Sequence, residues 1–445
     1  MGHSGVIMDL TKQQLKDMAC KIVDEKKDTI FAFADEIAKE PELGFKEYKT
    51  ASKYGTLLDS LGIDHRDNVA LTGVVSRLKG RRSNAHVAIM GELDAVVSPS
   101  HPDADPLTGA VHSCGHTLQL ATLIGVACGI QGVGLMDHLD GDISLMAVPA
   151  EEYAEIEFRN SLKEKGKIHF LGGKQEFIRL GEMDDVDIML MQHVGMQEDG
   201  PKAGVRSACT GFVGKMVRYR GKAAHAGSSP HEGINALNAA ALGLMAINAQ
   251  RETFRDEDRI RVHPIITRGG DLVNVVPEDV RVETYVRGAN IDAILSASDK
   301  VNRAFRSGGD AIGAKTEIVD LPGYLPMFFC DPLSDLFYDN LFSLLGDGAS
   351  MDCRGFGGGS TDAGDVSNLI PTVHAFFAGA TGGFHSAEYR IVDKELACIT
   401  PAKAILMMII DLLYDGAKNG KAIVERFDPP LTKQRYLKEW GKYEL

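Results

Sequence analysis

The spacing of hydrophobic positions changes along this chain, and each change marks a different kind of element. Near the start Leu15, Met18, Ala19, Ile22 and Val23 recur at three- and four-residue intervals, the apolar stripe of an amphipathic helix. Residues 30–38 continue the helical pattern until Pro41 and Gly44 interrupt it. Unbroken apolar runs bounded by turn residues follow at 70–78, 86–90, 143–148 and 187–192. Runs without polar alternation suit strands covered on both faces, and helical stretches separate them, so a parallel α/β sheet is expected. The uncharged stretch 117–136, with Gln119, Gln131 and four glycines, reads as a buried helix and its exit loop rather than a membrane span.

From about residue 210 the texture is different. Strand patterns at 212–219, 259–267, 280–287 and 315–319 alternate with helical ones at 234–250 and 291–305. This β-α-β-β-α-β order is that of a compact ferredoxin-like unit. The first texture then returns, with a helix at 332–345, a strand at 372–378 and a last helix at 401–416. The expected architecture is therefore α/β. A catalytic domain (1–208 and 319–445) with a mixed, mostly parallel sheet is interrupted by an inserted α+β lid or dimerisation domain (209–318).

Composition narrows the partners. The 445 residues are 44% hydrophobic and 25% charged, as in ordinary globular proteins. Against 48 Lys and Arg stand 62 Asp and Glu, a net charge of −14, which argues against nucleic acid or an anionic membrane as the main partner. A small anionic ligand in a locally positive pocket remains compatible with it. Seven cysteines are scattered without a CxxC pair, so no disulfide framework is expected and a reducing, cytoplasmic setting fits. Residues 1–10 lack a basic flank followed by an apolar core, so no signal peptide is expected.

Ligands of open α/β sheets collect at the carboxyl ends of strands, and that is where the reactive residues of this chain cluster. The run 86–90 leads into Gly91-Glu92-Leu93-Asp94, and about twenty residues later comes His112-Ser113-Cys114-Gly115-His116. A thiol and an imidazole two residues apart can face one cavity and suit zinc, or manganese or cobalt with weaker preference. The run 143–148 ends in Pro149-Ala150-Glu151-Glu152, whose two carboxylates offer one metal ligand and one free base. His193 follows the run 187–192, and Gly382-Gly383-Phe384-His385 follows the strand at 372–378. Taken singly, each has a bland reading: a buried Cys, a solvated acidic turn, a satisfied polar histidine. Together they are five plausible metal ligands meeting at one sheet edge.

The blocks GELDAV, HSCGH, PAEE, QHV, GKAAHAGSSPHEGINAL, GGDLVNVVPEDV, STDAGDVS and GGFHS occur in this order. In that order the chain resembles the aminoacylase/carboxypeptidase metallopeptidase family over roughly residues 35–400. The nearest branch is the amidohydrolases of N-acyl, indole-acetyl and aminobenzoyl amino acids, in which Cys replaces a bridging Asp. The resemblance implies metal ligands at Cys114, His116, Glu152, His193 and His385, binding one or two ions of zinc or manganese. It implies Glu151 as the general base, serving an activated water and the leaving nitrogen. Asp94 is implied to steady a ligand imidazole from behind. His225 is implied to reach a partner subunit's site and stabilise an oxyanion, and Asn274 and Arg287 to hold a substrate carboxylate, for which a guanidinium is well shaped. A homodimer or higher homo-oligomer is implied as well.

Some positions depart from the family pattern. Thr117 follows the second ligand where an acid or amide is usual, and the paired glutamates are followed by Tyr153-Ala154-Glu155-Ile156-Glu157-Phe158-Arg159 instead of a glycine-rich run. The segment 160–182 is longer and charged. Ser360-Thr361-Asp362 stands where other branches carry an acidic ligand region. Tyr153 is expected to form an aromatic wall beside the base, favouring a flat substrate. The expected function is hydrolysis of a carbon–nitrogen bond in a small-molecule carboxylate, first of all an N-acyl or aminobenzoyl amino acid amide. The alternatives are hydrolytic deamination of a small aromatic carboxylate, a carboxypeptidase acting on polypeptides, and a metal-binding protein without catalysis.

Overall fold

The computed structural model describes residues 10–197 and 200–442, so most of the segment read for a leader lies outside the described residues. The chain divides into two compact units. One runs up to Ala208 and takes in Phe328–Phe356 and the chain from Asp365 onward; the other comprises Cys209–Met327 and Gly357–Gly364. The expected boundary after residue 318 falls inside a strand, Lys315–Pro322, that belongs wholly to the smaller sheet.

The larger unit is built on a nine-stranded sheet. Its central strands, Asp142–Val148, His86–Glu92, Ile188–Met196 and Thr372–Thr381, are parallel neighbours in that order. Outside them the sheet turns antiparallel: Gly73–Leu78 and His65–Val69 on one flank, Ala203–Cys209 on the other. The parallel arrangement is thus confined to the centre, where both faces are covered and the strands are buried almost throughout. Arg390–Ile391 adds a short antiparallel edge, and Ala349–Gly357 lies next to Ala203–Cys209.

Helices cover this centre. Lys12–Glu25 starts at Thr11, whose hydroxyl and Gln14 form a capping box, and it buries Leu15, Ala19 and Val23 while Met18 faces solvent. His116–Val133 is apolar on all sides and buried over most of its length, the pattern of a helix inside a core. At Gly129 a Cβ would come within 2.4 Å of Leu406, so the helix Thr400–Leu413 lies closer here than any side chain allows. Among the described residues two helical stretches, His116–Val133 and Glu395–Leu413, are long and apolar enough to cross a membrane; 83% and 89% of their most apolar 18-residue windows are buried within the protein, as in core helices. The helix 401–416 expected to be last is followed by another, Lys418–Arg426.

In the smaller unit the strands Gly211–Arg220, Asp279–Gly288 and Lys315–Pro322 pair antiparallel, with the helices Ala236–Gln250 and Ile291–Ile312 packed on them. Asp279–Gly288 alternates buried and half-buried positions along its whole length, a sheet with one covered face. The strand expected at 259–267 is broken into Arg261–Val262 and Ile265–Arg268, with Pro264 between them. The β-α-β-β-α-β order is present.

Candidate metal centre

Four parallel strands end side by side, and the loops leaving them bring seven side chains of the larger unit together. Gly115 makes the first pair workable. With φ of 112° and Val194 only 3.0 Å from where a Cβ would lie, only glycine fits between Cys114 and His116 at the helix start. His116 Nδ1–H donates to the carbonyl of Asp94 at 2.7 Å, which turns Nε2 into the cavity. His193 is oriented the same way: Nδ1–H donates to the Val194 carbonyl at 2.8 Å, and Nε2 lies 3.4 Å from Cys114 Sγ.

The paired glutamates sit on a backbone held from several sides. Ala150 adopts a left-handed conformation, φ 56°, just before them. Its N–H donates to Glu47 Oε1 at 2.8 Å, while the N–H groups of Glu151 and Glu152 donate to Asp94 Oδ1 and Oδ2 at 3.1 and 2.9 Å. Arg159, buried, donates to the carbonyls of Ala150, Leu171 and Glu152. Asp94 therefore acts mainly on the turn that carries Glu151 and Glu152, and its carbonyl rather than its carboxylate holds the imidazole more closely, since Oδ1 is 3.5 Å from His116 Nδ1. His385, itself left-handed at φ 59°, places Nε2 at 3.0 Å from Glu152 Oε1.

The donor atoms fall into overlapping triads whose members lie within 4.8 Å of one another: Cys114, His116 and His193; Cys114, Glu152 and His385; and Glu92, His116 and Glu151. The first two share one sulfur. All five ligand positions expected from the sequence are thus brought together, with Glu151 beside them. The arrangement fits a divalent transition metal on its own evidence. His116 Nε2, Glu92 Oε2 and Glu152 Oε1 are buried without a hydrogen-bond partner, which is costly unless a cation answers them. Burial and the Glu152 carboxylate push the Cys114 thiol well above its ordinary value, whereas ligation needs the thiolate, so the site is built around a positive charge. Burial lowers His193 to about 4, leaving a neutral imidazole with a lone pair to give.

Three buried neighbours were not singled out from the sequence. Glu92 pairs with Lys174 at 2.6 Å, both virtually inaccessible; burial disfavours its charge, but Lys174 and His116 outweigh that and hold the carboxyl well below its usual range. The signal for Glu92 was there, two positions before Asp94 on the same face of the strand end. His374 stands edge-on to His193, ring centroids 6.0 Å apart, and is lowered to about 3 by burial and then by His193. Tyr153 is buried, so it is not an open wall; the ring that remains half-exposed against His193 is Phe384, at 5.4 Å.

The smaller unit holds the remaining expected residues. His225 Nδ1 accepts N–H groups from Gly227 and Ser228 at 3.1 and 3.0 Å, so the exposed ring carries its proton on Nε2, facing outward as a donor. Asn274 lies across from it, its carbonyl accepting the Ala226 N–H at 2.9 Å. Arg287 is elsewhere. It sits on an interior strand opposite Phe212, donates to Ser360 Oγ at 2.6 Å, and lies over the rings of Phe212 and Tyr285. Ser360 is therefore this arginine's partner rather than part of an acidic ligand region. Between Arg287 and the Asp279–Arg220 pair, beyond which the ribbon continues to Asn274 and His225, run eight residues of strand, about 26 Å. One subunit does not bring Asn274 and Arg287 onto the same carboxylate.

A sulfur shared between two ligand triads, with a glutamate beside them at the end of a parallel sheet, defines a metal-dependent hydrolase of carbon–nitrogen bonds. Comparison with known proteins agrees. Residues 206–310 match the peptidase dimerisation domain of the M20 family. The chain is 24% identical over 423 residues to a mouse Xaa-Arg dipeptidase, covering 91% of this chain and 90% of that protein. It is 27% identical to an N-acyl-L-amino acid amidohydrolase of Geobacillus stearothermophilus, over 72% of this chain and 82% of the other. Among solved structures, a dinuclear metal-binding M20 peptidase of Bacillus subtilis superposes with a TM-score of 0.64 at 20% identity, covering 88% of this chain and 99% of that one. An aminobenzoyl-glutamate utilization protein of Klebsiella pneumoniae does so with a TM-score of 0.67 at 18% identity, over 88% and 98%. The aminoacylase/carboxypeptidase resemblance drawn from motif order is the one these similarities show.

Proposed function

We propose that this protein is a two-metal amidohydrolase that cleaves the amide joining an acyl or aminobenzoyl group to an amino acid, acting as a homodimer. The observation that carries the reading is the pair of triads meeting at Cys114, with Glu151 alongside. Divalent ions held there would polarise the scissile carbonyl and acidify a water. The chain's own residues do the rest. Glu151 takes the proton from water and passes it to the leaving nitrogen, while Asp94, Glu47 and Arg159 fix the backbone from which it acts. His225, with Nε2–H outward, serves as oxyanion donor in the partner's site, because the ribbon carrying it is exposed and far along the sheet from Arg287. Arg287, held by Ser360 and two rings, is the carboxylate anchor. On a protein of net charge −14, substrate binding rests on these local donors.

The alternative acyl groups are ranked by the half-exposed ring of Phe384, which favours a flat acyl moiety. A reducing, cytoplasmic setting suits the free thiols found among the described residues, Cys20, Cys114, Cys128, Cys209, Cys330 and Cys398. The test is a screen of N-acyl and aminobenzoyl amino acids with the purified protein, measuring amino acid and ammonia separately. Release of both organic halves of the amide supports the proposal. Ammonia with a single organic product would identify a deaminase instead.

A further inference from the structure

We propose that Glu92 gives a carboxylate oxygen to the ion that His116 binds, a donor beyond the five positions matched to the family, and that Lys174 is the counter-ion holding it there. The inference rests on the metal-centre reading above. His116 Nδ1 is engaged by the Asp94 carbonyl, so Nε2 is the ring nitrogen turned into the cavity. Glu92 Oε2 lies 3.0 Å from that nitrogen, yet neither atom has a hydrogen-bond partner, and both side chains are about 1% exposed. The pair approaches to ion-pair distance without meeting hydrogen-bond geometry, so a metal ion that both atoms face answers it better than a shared proton does. The other triad shows the same signature, with Glu152 Oε1 buried without a hydrogen-bond partner and 3.0 Å from His385 Nε2. One accepted ligand pair and one unassigned pair thus share a geometry.

Glu92 is also fixed for the task. It ends a central strand with its second oxygen, Oε1, 2.6 Å from Lys174 Nζ, which leaves Oε2 to point into the centre. Lys174 comes from the helix Gly173–Leu180 and is fully buried, an expensive placement for an ammonium unless its partner must remain anionic. A hard oxygen donor added to two imidazoles and a thiolate makes this position more hospitable to manganese than a sulfur–nitrogen set alone.

The experiment compares wild type, Glu92→Gln and the charge-neutral double variant Glu92→Gln/Lys174→Gln. Metal content is measured on the purified proteins, and Mn2+, Co2+ and Zn2+ are titrated calorimetrically into chelator-treated samples, with the Co2+ visible spectrum recorded. Wild type is expected to bind two ions per chain. In both variants one site should weaken by about tenfold or more, Mn2+ suffering more than Zn2+, and the Co2+ spectrum should change. The double variant guards against a fold lost to an unpaired charge. Unchanged stoichiometry, affinity and spectrum in both would overturn the inference while leaving the metal centre intact, and so would a loss of thermal stability with no change in metal binding. A wild type that binds no metal would overturn the centre and this inference together.

Discussion

The two units present their chemistry in opposite ways. In the larger one most of the reactive groups are buried or half-buried and held from several sides, as Asp94 holds the backbone N–H groups of Glu151 and Glu152. In the smaller one His225 and Asn274 lie exposed on a ribbon, and only their backbone and Nδ1 contacts are fixed. The first is a site that can be recognised in a single chain. The second offers exposed donors to whatever docks on it, and it lies within the residues that match a peptidase dimerisation domain.

The sharpest way to break this contrast is at the base. Glu151→Gln should lower kcat by about 10²–10⁴ while metal content stays at the wild-type level. An unaltered kcat, measured by steady-state hydrolysis of the best substrate, would remove Glu151 from the mechanism. Next comes the partner. His225→Ala should cost about 10²–10³ in kcat. Mixing it with Glu151→Gln under subunit exchange should restore activity to roughly a quarter of wild type, because half the dimers are mixed and each has one complete site. No recovery in mixtures shown to exchange would place His225 in its own subunit's chemistry.

A smaller effect tests the support behind the base. Asp94→Asn keeps the shape but weakens the acceptor for both N–H groups, and should reduce kcat by about 10–100-fold with little change in KM. The smallest concerns Glu47, which burial and then Asp94 push up to about 7. Its folded value lies above its unfolded one, so its contribution to stability is full below about pH 4.5 and fades as pH rises through about 7. Glu47→Gln should flatten that part of the stability–pH curve in thermal melts of the metal-free protein; an unchanged slope would mean that Glu47 does not titrate there.

The same contrast explains what the sequence disclosed. The central strands were legible because both their faces are covered, leaving unbroken apolar runs such as 86–90 and 143–148. The outer strand His65–Val69 was not, since its HRDNV is mostly exposed and carries no hydrophobic pattern. Cys114, His116, Glu152, His193 and His385 could be read because each sits next to a recognisable strand end or motif. Glu92 and Lys174 escaped notice for a physical reason: a lysine in a charged segment is ordinarily solvated, and only the fold shows that the helix Gly173–Leu180 buries Lys174, Gln175 and Glu176. The tie between Arg287 and Ser360, far apart in the chain, likewise appears only when the sheet is built.

One atom, Cys114 Sγ, belongs to both ligand triads. Two positions that share a donor are coupled: filling one fixes the sulfur, and its charge, for the other. Occupancy of the two positions should therefore be coupled, and Cys114→Ala would take a donor from both at once. The shared sulfur that permits so compact a centre also leaves it without redundancy.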